Sequence, residues 1–119
     1  MNLYQMIANI KKHPEYERVG MILCHNGVVR GTSRNGRKVT GLMVSVDHDK
    51  LNQIITENKQ HAGIIDIQID IAEEKKLTVG DDVMFLVVAG NIRENVISAL
   101  EETLNAVKTI VTRKTEYFA

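Results

Sequence analysis

Arg30 follows the apolar run Gly27-Val28-Val29 and precedes Gly31-Thr32-Ser33. An arginine at a strand end beside a small polar loop presents a planar fork of N–H donors, suited to a phosphate or a carboxylate. Arg34, Arg37 and Lys38 add positive charge in the same stretch; taken alone, they equally describe a solvated basic hairpin tip. Arg93 lies in Gly90-Asn91-Ile92-Arg93-Glu94-Asn95, where a strand gives way to a helix. The first turn of a helix leaves backbone N–H groups unpaired and favours anions. A cation there opposes the helix dipole, so Arg93 either meets a ligand, pairs with an acid such as Glu94, or is a plain surface residue. Lys108 comes four residues after Leu104 and one after Val107, on or beside the apolar face of the last helix. Such a lysine either lays its stem along the core or occupies a pocket that lowers its pKa, and the second fits it for acid, base or nucleophile work. Downstream, Arg113 and Lys114 extend a basic C-terminal segment ending in Tyr117-Phe118.

Other chemistries find no support. His25, His61 and the trio Asp47-His48-Asp49 match no metal-ligand spacing, and an aspartate before a helix is ordinary capping. No phosphate-binding P-loop, nucleophile elbow or dinucleotide fingerprint is present, so no cofactor is implied. Fifteen basic and fifteen acidic side chains cancel, which leaves no net field to steer the chain toward nucleic acid or anionic lipid. Aromatic residues make up 4%, too few for a base-stacking surface. The single cysteine, Cys24, has no internal disulfide partner and reads as a small buried hydrophobe between Leu23 and His25. No apolar stretch approaches the roughly 18 residues of a membrane span, and the N-terminus carries no signal-like core, so a cytoplasmic protein is expected.

The elements that must position these residues follow from periodicity. Leu3, Met6, Ile7 and Ile10 predict a short helix stopped before Pro14. Val19 to Cys24 and Gly27 to Val29 predict one apolar strand, bent near Asn26-Gly27. Asn35-Gly36 signals a hairpin, with Val39 to Val46 as the returning strand. Asp47 and Asp49 are helix caps before Leu51, Ile54, Ile55 and Asn58, and Gly63 lies just past that helix. Ile65, Ile67, Ile69 and Ile71 alternate with polar residues as a half-buried strand. Val83 to Val88 is apolar on both faces and is expected at the centre of a sheet. Val96, Ala99, Leu100, Leu104, Val107 and Val111 define the apolar face of a last long helix. Residues 1–119 are thus expected to form one α+β domain, with helices packed on a largely antiparallel sheet.

In this order the pieces resemble the large, catalytic subunit of molybdopterin synthase. Gly20 to Arg30 resembles that family's G-x-V-x-x-F-x-G-x-V-R stretch, and Leu77-Thr78-Val79-Gly80-Asp81-Asp82-Val83 its L-x-V-G-E-x-x-V turn. Val88 to Arg93 falls where the family has a strand ending in S-x-H-R, and Val107 to Val111 where it has a lysine followed by V-P-I-W-K-K-E. The resemblance covers roughly residues 19–118. It implies an α/β-hammerhead-like α+β fold, a homodimer, and a small ubiquitin-like sulfur-carrier subunit whose C-terminal Gly-Gly enters the site as a thiocarboxylate. The implied reaction converts cyclic pyranopterin monophosphate into molybdopterin. Lys108 is implied as the catalytic residue, with Arg30, Arg93 and Lys114 binding the phosphorylated pterin or the partner's tail. The chain departs from the family pattern at Ile92, where a histidine stands, at His25, where an aromatic stands, and at Thr115, which aligns with the family's second lysine while Lys114 precedes it. The alternative implied by these departures is a non-catalytic homologue that binds a phosphorylated pterin-like ligand or a ubiquitin-like carrier.

Overall fold

A computed structural model describes residues 2–119. Helix α1 (Leu3–Lys11) starts at Asn2, whose side chain accepts a hydrogen bond from the Gln5 amide. It buries Met6 and Ile10. Strands β1 (Met21–Val28) and β2 (Val39–Val46) flank the basic loop. Helix α2 (His48–Asn58) is capped by Asp47, which accepts from the Lys50 amide at 3.1 Å. Then come β3 (Ile64–Ile71), the short β4 (Leu77–Thr78) and β5 (Asp82–Gly90). Helix α3 (Arg93–Ala106) runs into a π turn at Val107–Val111 and a final strand, β6 (Thr112–Phe118).

The strands form two three-stranded antiparallel sheets, ordered β1-β5-β3 and β4-β2-β6. β5 is central in the first, as its two-faced apolar run requires, and Leu86, Val87, Val88 and Ala89 are 0% exposed. One face of this sheet packs on α1 through Phe85, Val87 and Ala89. The other packs on α3 through Leu86, Val88, Val96 and Ala99. Burying a side chain of this size stabilises the fold by about 1.5–3 kcal/mol, so this double-sided packing is the main anchor of the first sheet. A separate cluster of Val44, Leu51, Ile54, Ile71, Met84, Val107 and Val111 ties α2 and the π turn across to the second sheet.

Three expectations change. The Asn35-Gly36 turn forms, with Gly36 at φ 86° and a bridge between Thr32 and Lys38. The strands on either side do not pair as a hairpin, however. β1 joins β5, and β2 joins the chain end, so the turn carries the chain from one sheet to the other. The segment after Val111, read as a basic tail of the last helix, is a strand paired along β2. Cys24 is exposed and not buried. β1 lies at a sheet edge, and its alternation turns Leu23 and His25 inward while Cys24 and Asn26 face out.

Candidate active site

The second sheet lies beside the first, and a hollow of about 740 Å³ opens where they meet. Gly27, Val28 and Met84 form its wall from the first sheet, and Leu42 and Val44 its wall from the second. A smaller hollow of about 260 Å³ adjoins it and shares Ser33, Arg34, Lys108, Lys114 and Glu116. Four cationic side chains, Arg30, Arg34, Lys108 and Lys114, thus line this space against one carboxylate, Glu116. On a chain whose formal net charge is zero, that is a strong local excess of positive charge.

Each cation is placed by a different local device. Arg30 follows β1, and its Nε donates to the Thr32 carbonyl at 2.8 Å, which folds the side chain back over the loop. Arg34 sits in the turn that Ser33 organises. The buried Ser33 hydroxyl accepts from the Arg37 amide at 3.1 Å and bonds the Asn35 side chain. Arg37 in turn stacks over Phe118, 3.7 Å from the ring centre, and so ties the loop to β6. Such a cation–π contact contributes about 0.5–1 kcal/mol at an exposed site.

Lys108 is carried by the π turn. Val107 and Val111 are 0% and 2% exposed and lock this turn into the core. The Thr112 hydroxyl donates to the Val107 carbonyl at 3.2 Å and closes it. The wider turn leaves Lys108 exposed at the cavity rim; π turns inside helices are found mostly at functional sites.

Lys114 reaches the cavity because the chain end is a strand. Along a helix one residue turns a side chain by about 100°, whereas on a strand alternate residues share a face. Thr112, Lys114 and Glu116 therefore all line the hollow, and Arg113 and Thr115 fall on the opposite face. The offset between Lys114 and the family's second lysine is thus accompanied by a lysine that does face the cavity. Glu116 lies 4.0 Å from the Lys114 Nζ.

Arg93 is the one predicted site residue that the fold leaves elsewhere. It opens α3, its side chain is 77% exposed, and its Nε lies 3.9 Å from Glu94. Along α3 and the π turn it is about 22 Å from Lys108. It lines neither hollow. Beside it Asn91 closes the strand end, its side chain accepting from the Ile92 amide at 2.8 Å and from the Asn95 amide group at 3.0 Å.

Two cavity residues were not among the predicted site residues. Arg34 was visible only as one of several loop charges, and its sequence signal was the basic cluster around Asn35-Gly36. His25 lines the cavity from β1. Its pKa is pushed below the ordinary imidazole value, first by burial and then by the Lys108 charge. The other histidines stand apart: His48 pairs with Glu73 at 2.7 Å, and His61 with Glu102 at 2.7 Å.

The comparisons with known proteins agree with this fold. The fold is similar to that of molybdopterin synthase from Staphylococcus aureus, at 24% identity and a TM-score of 0.74, over 88% of this chain and 83% of that one. It is similar to the molybdopterin biosynthesis MoaE protein from Burkholderia ambifaria, at 18% identity and 0.76, over 100% and 81%. It also matches a chain in the complex of subunits 1 and 2 of molybdopterin-converting factor from Helicobacter pylori, at 15% identity and 0.72, over 99% and 80%. No curated protein matches the chain. The family model described as MoaE protein matches residues 2–110, and with that match over nearly its whole length the chain belongs to the MoaE family, the large subunits of molybdopterin synthase that act in molybdenum cofactor biosynthesis.

Proposed function

We propose that the cavity between the two sheets is a working sulfur-transfer site. The observation that carries this reading is the gathering of Arg30, Arg34, Lys108 and Lys114, from two distant stretches of chain, around two adjoining hollows. Both reactants of a molybdopterin synthase are anions: the phosphorylated pterin and the thiocarboxylate tail of a small subunit. A charge-assisted hydrogen bond contributes about 1.5–3 kcal/mol, so two or three such contacts suffice to hold a phosphate at the rim. Arg34 and Lys114 line both hollows and suit that work, with Arg30 lining the smaller one. Lys108, which also lines both, is the group for proton transfer, or the amine that transiently accepts the acyl group of the tail.

The partner is a ubiquitin-like sulfur carrier with a C-terminal Gly-Gly. The assembly of two subunits in the Helicobacter pylori complex supports this reading. Two glycines lack side chains and so can lie close against the wall beside Lys108. Arg93 is too far along α3 to serve the cavity of its own chain; it contributes only if a homodimer brings it to the cavity of a second copy.

Turnover tests the proposal. The pure chain, cyclic pyranopterin monophosphate and a thiocarboxylated small subunit are expected to yield molybdopterin, read as its fluorescent oxidation product. An absence of product, while a known synthase works in parallel and the small subunit binds, would leave a non-catalytic homologue in its place.

A further inference from the structure

Among the described residues, His25 is the only imidazole that lines the cavity. Its Nε2 is sealed from solvent and has no hydrogen-bond partner. Gly27, two residues on and on the same face of β1, leaves the ring its space; even a bare Cβ there would stand 3.4 Å from Nε2. An orphaned polar atom of this kind is unfavourable unless a partner reaches it.

The surroundings explain why the ring's pKa lies below the ordinary imidazole value. Opposite it, β5 presents Leu86 and Met84, which carry no charge. The loop brings Arg34, the π turn Lys108, and β6 Lys114 with the single acid Glu116. On α3, Glu101 and Glu102 are exposed, and Glu102 is paired with His61. Burial and the Lys108 charge both hold protons off the ring. An anion seated beside Lys108 reverses the second effect, because it cancels the repulsion and adds an attraction of its own.

We propose that His25 is a proton-accepting residue of this cavity: when an oxyanion settles among Arg34, Lys108 and Lys114, one proton passes from solvent to the imidazole, which becomes a further cation in the wall. Nothing else is transferred, and the proton leaves when the anion leaves. The inference rests on the proposed function only for the identity of the oxyanion, there the phosphate of the pterin. Its consequence is that anion binding tightens as pH falls from the anion-bound imidazole pKa toward the lower, anion-free one, more steeply than fixed charges allow.

The test follows the four histidine resonances by NMR in the full-length chain, with sodium sulfate as probe because sulfate does not titrate near neutrality. His25→Phe, which keeps a ring of similar size, identifies the His25 signal. Its titration midpoint is expected below the ordinary imidazole value, and is expected to rise with sulfate and in Lys108→Met. The dispersion of the amide resonances reports an intact fold; if Lys108→Met does not fold, Lys108→Gln replaces it. A His25 midpoint that neither sulfate nor loss of the Lys108 charge moves overturns the inference. The outcome is separate from turnover. A chain that makes no molybdopterin yet shows the sulfate-dependent rise loses the proposed function and keeps this one, and turnover with an unmoved His25 does the reverse.

Discussion

At the scale of single residues, the proposed function divides the cavity into groups that bind and one that reacts. Arg34→Ala or Lys114→Ala should raise KM for the pterin about tenfold, equivalent to roughly 1.4 kcal/mol of lost binding, with kcat changed less; steady-state kinetics separates the two. His25 also leaves a mark on stability. Its folded-state proton affinity is depressed by burial and by Lys108, so near neutrality the unfolded chain binds more protons. Stability is therefore fully present above the ordinary imidazole pKa and is lost as pH falls from there through the lower folded value. Thermal midpoints of His25→Phe should fall less over that window than those of the parent chain. Lys108 and Arg30 were legible in the sequence, because an amine beside an apolar helical stripe and an arginine at a strand end are local patterns. Arg34 was not singled out, since a charge in a turn looks like solvent-facing decoration until the fold brings it to the hollows that Lys108 and Lys114 line.

At the scale of elements, local pattern gave the pieces and distant pairing decided their use. α1, α2, β3 and β5 lie where periodicity placed them, because each has one clear apolar stripe or run. β6 was missed because Thr112 to Phe118 alternates weakly and is basic; what makes it a strand is the open edge of β2, 66 residues or more upstream by the Val46–Thr112 pairing. The Asn35-Gly36 turn was read correctly as a turn and wrongly as a hairpin, since turn chemistry fixes only a reversal, and Val29 and Val39 then bury together with Ala72 and Leu77. Two substitutions test this packing by chemical denaturation. Gly63 follows α2 at φ 76°, and a Cβ there would strike the Asn91 side chain; Gly63→Ala should lower stability by about 2 kcal/mol or more. Thr103 is 0% exposed on α3 with its hydroxyl unpaired, so the isosteric Thr103→Val should raise stability by about 1 kcal/mol.

At the scale of the whole molecule, the two sheets set the shape. The extents are 49 × 25 × 24 Å and the radius of gyration 15.2 Å, against about 13.5 Å for a compact chain of this length. The elongation comes from sheets placed side by side, and the cavity is their seam. Among the described residues no helix is long and apolar enough to cross a membrane. That two sheets would form, and that their seam would collect cations from residues 30, 34, 108 and 114, was not readable from composition, since the formal net charge is zero; the family resemblance supplied three of these four positions. Because the charges act at an open seam, KM for the pterin should rise with ionic strength as the Debye length shortens from about 10 Å at 0.1 M. On the proposed function, Lys108 at this seam performs the chemistry. Product formation by Lys108→Ala, with the small subunit and pterin saturating, tests it most directly. The rate should fall by about a hundredfold or more while the thermal midpoint and small-subunit binding hold; a variant that turns over at the parent rate would contradict the assignment.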